Sequence, residues 1–479
     1  MRFMLSIPLF VLATVATMAK CHPTDESAKR PAPIPLSSER FWFSQPIDHF
    51  GLNDNTWSQQ YLFNATYYKP GGPIIIVTPG ESNIKPYYTD GSYFNQVAKE
   101  TNGLVVAVEH RFYGDSNPMP DLSGASLKYH TIDNVLEDFA QFTRAVKYNP
   151  SSVFPFSVKP NSKVIFGGGS YAGSLAAWMR AKYPNIVNGA WASSAIIQYS
   201  LENYHLDQSW GKHLVALGCG PEMQQAVKEL DTILLSSNQT AIDDMQARFG
   251  TPKLTPRDFA GLITSLISAD GMTPSYEGID YTEYSVCEYF DGKSSNLDSF
   301  ARAVSDVIEK VGLSQEAMTQ MADTTLGWDN YALGQVSRVW YYQSCAWYGN
   351  WQVAAPKSTG LSPYRSSLVD IQYFQPNCKN KFGSHMPDRP DSEGFHNKWF
   401  NILKGVSNIY YTVGALDIWR GNNVITWSSA ALPNTYYSPT YLMNGATHSQ
   451  DVAGPSTDDL ESVKHARQVG LDLVKKWVR

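Results

Sequence analysis

Apolar residues along this chain follow two rhythms. Short unbroken runs, each closed by Gly, Pro or a polar turn, stand at 74–78, 104–109 and 164–166, with a fourth at 187–192. A parallel strand is covered on both faces, so its side chains read as one continuous apolar run, as these do. The pattern then stops and resumes only at 409–413 and 440–443. From about 197 to 395 the spacing is that of amphipathic helices, as in 221–235 and 297–311. The economical architecture is α/β: a sheet domain built from 41–196 and 396–479, interrupted by a helical insertion over 197–395. A last helix is expected after Gly454-Pro455, with Ser456 and Asp459 at capping-box spacing and Leu460, Val463, Val474 and Val478 on one apolar face.

Composition narrows the class. The 479 residues are 43% hydrophobic, 13% aromatic and 17% charged, which excludes a disordered, collagenous or coiled-coil chain. A net charge of -6 argues against nucleic acid as a partner, since such proteins carry a basic domain or stripe. At the N-terminus, Arg2, an apolar run over 5–13, and the small residues Thr17 and Ala19 make a signal-peptide pattern over 1–19. Cys21 follows Lys20, not a small residue, which argues against lipidation there. No later stretch approaches the ~18 apolar residues of a membrane span. The expected destination is therefore outside the cell, or a lysosome or vacuole. Sequons at Asn64-Ala65-Thr66 and Asn238-Gln239-Thr240 agree with glycosylation on that route. Cys219, Cys287, Cys345 and Cys378 can pair in three ways in an oxidising compartment, and the local pairing, Cys219 with Cys287 and Cys345 with Cys378, is favoured. No cysteines stand at CxxC spacing with histidines nearby, so no metal is expected.

The candidate chemistry begins where Val164-Ile165-Phe166 runs into Gly167-Gly168-Gly169-Ser170-Tyr171-Ala172-Gly173, followed by a helix-forming stretch. A strand, a glycine-dense turn carrying a serine, and a helix form the setting of a nucleophile elbow. A side chain two residues before the serine would strike the backbone of so sharp a turn, and Gly168 removes that conflict. Ala172 stands where the general pattern has Gly. The amide of Tyr171 falls at the helix N-terminus, where it can stabilise an oxyanion. A phosphate cradle fits less well, because no Gly-Lys-Ser/Thr follows. Gly167, Gly169 and Ala172 match a permissive dinucleotide pattern, but the acidic residue expected about twenty positions on is absent, the next being Glu202.

An elbow of this kind implies an α/β-hydrolase sheet domain with a large helical cap insertion, whose triad runs in the order Ser, acid, His. Of the histidines near the C-terminus, His396 precedes the resumed strands and His465 lies mid-helix between Lys464 and Arg467. His448 lies in the loop after 440–443, where the base of Ser170 belongs. Asp417 is the first carboxylate after 409–413 and would orient His448; Asp451 is a rival close in sequence. No cofactor is needed.

These residues resemble the serine peptidase family of lysosomal prolyl carboxypeptidase, dipeptidyl peptidase II and fungal prolyl endopeptidase. The block Glu109-His110-Arg111-Phe112-Tyr113-Gly114-Asp115-Ser116 looks like that family's hallmark. Gly168-Gly169-Ser170-Tyr171 looks like its nucleophile signature, and Trp340-Tyr341-Tyr342-Gln343-Ser344-Cys345 like a motif of its insertion. Asp417-Ile418-Trp419 resembles its Asp-Pro-Trp, and the similarity runs from about Phe41 to the C-terminus. The resemblance implies hydrolysis of peptide bonds after proline, with peptide or protein substrates and an acyl-enzyme intermediate. It assigns Ser170, Asp417 and His448 to the triad, Tyr171 to the oxyanion hole, and Gly80-Glu81 to a second oxyanion loop in which Pro79 replaces the family's first Gly. Tyr171 also lines the substrate site, and Trp419 would pack on a proline ring. Glu109 and Arg111 are expected as an ion pair supporting the site. A homodimer is compatible with the resemblance.

Animal carboxypeptidase members have a second His and a nearby Arg after the catalytic His. Here Ser449-Gln450-Asp451-Val452-Ala453 follow, with no cation. That favours a broader post-proline peptidase. The carboxypeptidase Y type shares Ser-Tyr-Ala-Gly but has Glu where this chain has Gly169. A lipase or esterase shares the fold. A catalytically dead hydrolase acting as a secreted binding protein would be expected to lose a triad member, and all three candidates are present.

Overall fold

Eight strands form one sheet, and their side chains explain why its centre is parallel. They are β1 (Phe41–Pro46), β2 (Thr56–Asn64), β3 (Ile74–Val77), β4 (Leu104–Val108), β5 (Val164–Gly169), β6 (Gly189–Ser193), β7 (Ile409–Gly414) and β8 (Thr440–Met443). The computed structural model describes residues 39–51, 55–267, 275–276, 279–280, 285–322, 332–426 and 430–479, and the expected signal peptide lies outside them. The spatial order is β1-β2-β4-β3-β5-β6-β7-β8. β1 pairs antiparallel with β2, as β2 does with β4, and every other pairing in the sheet is parallel. With the serine turn directly after β5, this is an α/β-hydrolase sheet carrying a helical insertion. Alternate residues serve two separate cores. Ile74, Ile76, Val106, Phe166 and Tyr411 face the helices Ile132–Tyr148 and Tyr171–Lys182. Ile75, Val77, Val105, Ile165 and Tyr410 face Tyr93–Thr101 and the last helix, Glu461–Trp477. β3 and β4 are thus apolar at every position, as their sequences implied.

β1 and β2 escaped the sequence reading because they carry buried amides. Gln45 Nε2 donates to Gln59 Oε1 and to Asp138 O, both at 2.8 Å, and Gln59 Nε2 donates to Glu109 O at 2.8 Å. Both NH₂ groups are partnered in this way, although the amides break the apolar pattern. The last helix also starts later than its capping box suggested. Asp459 does accept from Ser456 N at 2.7 Å, but that bond closes a turn, and the helix begins at Glu461. Asp459 is drawn away by Arg467, with which it forms a buried ion pair.

Glu109 and Arg111 do not form the ion pair expected of them, because each is taken by other partners. Arg111 binds Asp138 in a bidentate manner, Nε to Oδ2 at 2.6 Å and Nη2 to Oδ1 at 2.7 Å, and also donates to the carbonyls of Ile47 and Tyr129. Glu109 instead accepts from the amides of Ile84 at 2.8 Å and Asp115 at 3.1 Å. It therefore pins the loop after β3, which lies beside the serine turn.

The helices of the insertion enclose their own core. Trp210 and Leu214 from Tyr204–Leu217, Leu230 from Gly220–Leu234, Phe259 from Pro256–Ile267 and Phe300 from Asn296–Val311 meet inside it. Both expected disulfides form, Cys219–Cys287 and Cys345–Cys378. Buried Arg338 ties this layer to the sheet domain, its Nε donating to Leu122 O at 2.7 Å. Among the described residues no helix is long and apolar enough to cross a membrane.

Two tests follow from this architecture. Burial raises the Glu109 carboxyl from 4.5 to about 7, against the opposing pull of its hydrogen-bond donors. The folded chain thus keeps a proton that the unfolded chain has lost, and this stabilisation disappears as pH rises from about 4.5 through about 7. Glu109→Gln should flatten the fall in melting temperature across that window, as measured by calorimetry; parallel curves for the two proteins would refute it. Separately, the Cys345–Cys378 bridge spans 33 residues of chain. Replacing both cysteines by serine should destabilise the protein by about 4 kcal/mol in urea unfolding, by the chain-entropy argument. A change below about 1 kcal/mol would show that the unfolded chain is already constrained there.

Candidate active site

Parallel strands deliver their C-terminal ends to one edge of the sheet, and every candidate residue leaves from that edge. Ser170 follows β5, Asp417 follows β7 and His448 follows β8, while Gly80 and Glu81 follow β3. Ser170 sits at φ 59° and ψ -131°, outside the ordinary allowed regions, and the helix Tyr171–Lys182 starts immediately after it. Such strain is held by the surroundings and clusters at functional turns. A Cβ on Gly168 would lie 2.7 Å from the backbone of Ala172, so the need for glycine two residues before the serine is steric, as anticipated. Ala172 itself is accommodated, its Cβ lying against Gly168 and Gly80.

His448 and Asp417 are both buried and joined by an Nδ1–Oδ1 contact of 2.8 Å. A carboxylate only accepts, so His448 Nδ1 is the donor in this contact. His448 Nε2 has no hydrogen-bond partner among the described residues. Trp419 N donates to the same Asp417 oxygen at 2.8 Å, which fixes the carboxylate in its loop. The His448 loop reaches the serine turn through the next residue: a Cβ on Gly169 would fall 2.7 Å from Ser449 Oγ. Any side chain at position 169, including the glutamate of the carboxypeptidase Y type, would have to displace Ser449.

The other candidates have different partners or stand on the surface. Asp451 is buried on other partners, accepting from Thr412 Oγ1 at 2.7 Å, Trp191 Nε1 at 2.8 Å and Ser193 Oγ. His396 Nδ1 accepts from Tyr199 N at 3.2 Å, and His465 is exposed on the last helix. Tyr171 opens its helix, where the first amides lack intrahelical acceptors. The Gly80 amide is turned to Thr78 Oγ1 at 3.2 Å, while Gly80 itself, at φ 70°, packs on Ala172. The loop of Gly80 and Glu81 therefore does meet the elbow, but the Gly80 N–H points elsewhere.

His110 plays a part the residue pattern did not disclose, although it lies inside the 109–116 block. Its Nδ1 faces Arg111 O at 2.7 Å, so Nδ1 must be the protonated nitrogen, and Nε2 accepts from the Tyr171 hydroxyl at 3.1 Å. Burial lowers its pKa to about 4, which keeps the ring neutral in this role. Nearby, Tyr113 donates to Gln343 Oε1 of the insertion. Trp419 is half-buried where the sheet core and the insertion core meet, and it packs on both. Of the sequons, Asn238 is exposed and caps Gln239–Arg248, whereas Asn64 ends β2 with its Nδ2 on Asp90 Oδ1 at 2.6 Å. No cluster of metal-ligating side chains occurs among the described residues.

A family model described as Serine carboxypeptidase S28 matches residues 45–469. Serine protease vicPa of Bipolaris victoriae is 28% identical to this chain over 94% of it and 91% of its own length. Serine protease vicPb of the same organism is 27% identical, covering 100% of this chain and 96% of its own. Thymus-specific serine protease of Mus musculus is 26% identical over 96% of this chain and 90% of its own. With a family match over most of its length, on a sheet that carries a strained serine turn, the chain belongs to the S28 serine carboxypeptidase family and is a serine peptidase.

Proposed function

We propose that the protein hydrolyses peptide bonds after proline through Ser170, His448 and Asp417, without requiring a free substrate C-terminus. The observation that carries this reading is the buried Asp417–His448 pair, whose unpartnered Nε2 sits on a loop packed against Gly169 beside Ser170. In the first step His448 Nε2 takes the Ser170 proton as Oγ attacks the scissile carbonyl, and Asp417 stabilises the imidazolium. The amides of Tyr171 and Glu81 bind the developing oxyanion, the Gly80 amide being directed to Thr78. Collapse breaks the C–N bond, and the imidazolium returns its proton to the leaving amine. Water then attacks the acyl-enzyme by the same route. Trp419, at the seam between the two cores, offers a flat face to a proline ring. Residues 197–395 act as a cap that limits which chains reach the serine. The N-terminal leader delivers the protein outside the cell or to a lysosome or vacuole.

Release from a C-terminal requirement is supported by the segment after His448, where Ser449 to Ala453 supply no cation to hold a carboxylate. Arg420, near Asp417, is directed to the carbonyl of Ala415 at 3.0 Å. The test uses three proline-containing peptides, one free at both ends, one N-acetylated and one C-amidated, with products read by mass spectrometry and Ser170→Ala as control. The C-amidated peptide should be cut after proline as readily as the free one. Loss with C-amidation would reassign the protein as a carboxypeptidase, and absence of any cleavage from acid to neutral pH would end the post-proline reading. Loss on N-acetylation alone would narrow it to a dipeptidyl peptidase. For the triad itself, Asp417→Asn should lower kcat by about 10⁴-fold with the fold retained, because the amide favours the wrong His448 tautomer. A loss of less than about tenfold would remove Asp417 from the triad.

A further inference from the structure

Three serines at this edge of the sheet have positive φ: Ser170 at 59°, Ser194 at 45° and Ser449 at 53°. They are held by one buried polar network that the acyl-transfer steps do not use. Ser170 N donates to Ser193 O at 2.9 Å, which ties the serine turn to the end of β6. Ser449 N donates to Ser194 Oγ at 2.9 Å, which ties the His448 loop to the next residue of the same segment. Ser194 N in turn donates to Thr412 O of β7 at 2.8 Å. At the centre is Asp451, three residues beyond His448 and fully buried. It collects the Ser193 hydroxyl and the Trp191 indole N–H from β6 and the Thr412 hydroxyl from β7. Its carbonyl accepts from Arg467 Nε at 2.9 Å, and the same guanidinium holds Ala453 O at 2.8 Å and Gln450 O at 3.1 Å.

We infer that Asp451 is a positioning residue that sets His448 against Ser170, with Ser193 and Thr412 as its contacts. The inference rests on the triad reading above. Trp191 Nε1 can only donate, and the Ser193 and Thr412 hydroxyls join it as donors, so a side chain that accepts on both oxygens suits all three; an asparagine would turn an NH₂ toward one of them. A charge buried for packing alone would be an expensive choice, since apolar residues of similar volume stabilise equally well. What Asp451 supplies that they cannot is direction. Ser193 binds Asp451 with its hydroxyl and Ser170 with its carbonyl, so one residue registers the base loop and the nucleophile turn together. Displacement of about 1 Å in such a pair is enough to slow reaction about 100-fold.

The test is the time course of labelling by a serine-directed fluorophosphonate at several probe concentrations, with the full chain and Ser170→Ala as control. It separates the limiting rate from the half-saturating concentration. Asp451→Asn should lower the limiting rate about 100-fold and Thr412→Val, which keeps the shape but loses the hydroxyl, about tenfold. Half-saturation should stay within about twofold in both, and Thr412→Ser, which restores the hydroxyl, should return the rate to within about twofold of the unaltered chain. If Asp451→Asn does not fold, the Thr412 pair decides the matter. Folded variants that label at the unaltered rate would overturn the positioning role, as would a Thr412→Ser as slow as Thr412→Val. An unaltered chain that fails to label at Ser170 would instead overturn the triad reading beneath it.

Discussion

Backbone surfaces that leave no room for side chains hold the functional edge of this molecule together. Around the strained Ser170, neighbouring segments approach closely at glycine positions. A Cβ on Gly173 would fall 2.6 Å from Ser193 O, one on Gly169 would meet Ser449, and one on Gly80 would press on Ala172 N at 3.2 Å. These contacts join the helix start, the segment after β6, the loop after β8 and the loop after β3. Each carries a residue of the proposed site, so the glycines set the mutual distances of the Ser170 turn, the His448 loop and the Gly80 loop. A methyl group at any of them would separate two of these parts, which is why steric economy and chemistry coincide here.

The second organising feature is the treatment of buried charge. Arg111 with Asp138 and Arg365 with Asp207 are almost wholly removed from water. In each pair hydrogen-bonding capacity beyond the ion pair is used on backbone, Arg111 on two carbonyls and Asp207 on the amides of Ala355 and Tyr364. Burying such pairs brings little net stability, but losing one partner would leave an uncompensated charge. Their placement is informative: Arg111 lies in the loop after β4, and Asp207 lies in the first helix of the insertion. Both therefore fix where irregular chain runs, a task that apolar packing performs poorly.

The insertion and the acid loop are joined more closely than a simple cover would require. Gly421 N donates to Ser209 Oγ at 3.2 Å, and a Cβ on Gly421 would strike His205, so the turn after Asp417 lies directly on the helix Tyr204–Leu217. Ile418 belongs to the insertion core, while neighbouring Trp419 touches both cores. The segment that binds His448 is thus also the segment on which the insertion rests.

How much of this was readable in the chain depends on the range of the forces involved. Local sterics and periodicity are written in consecutive residues. The parallel strands, the helical insertion and the sharp serine turn with its required Gly168 therefore followed from sequence. So did both disulfides, whose partners are the near ones. What sequence missed or misassigned was decided by partners far along the chain. β1 and β2 hide behind Gln45 and Gln59, whose burial is tolerated only because the two amides and Asp138 O meet across the fold. Arg111 was paired with its near neighbour Glu109, and Asp138, 27 residues on, took it instead. His110 and Asp451 acquire their roles only when β4 meets the elbow and when β6, β7 and the last loop converge. A hydrogen bond between distant residues leaves no periodic trace, because its two ends are brought together by the sheet and not by their spacing.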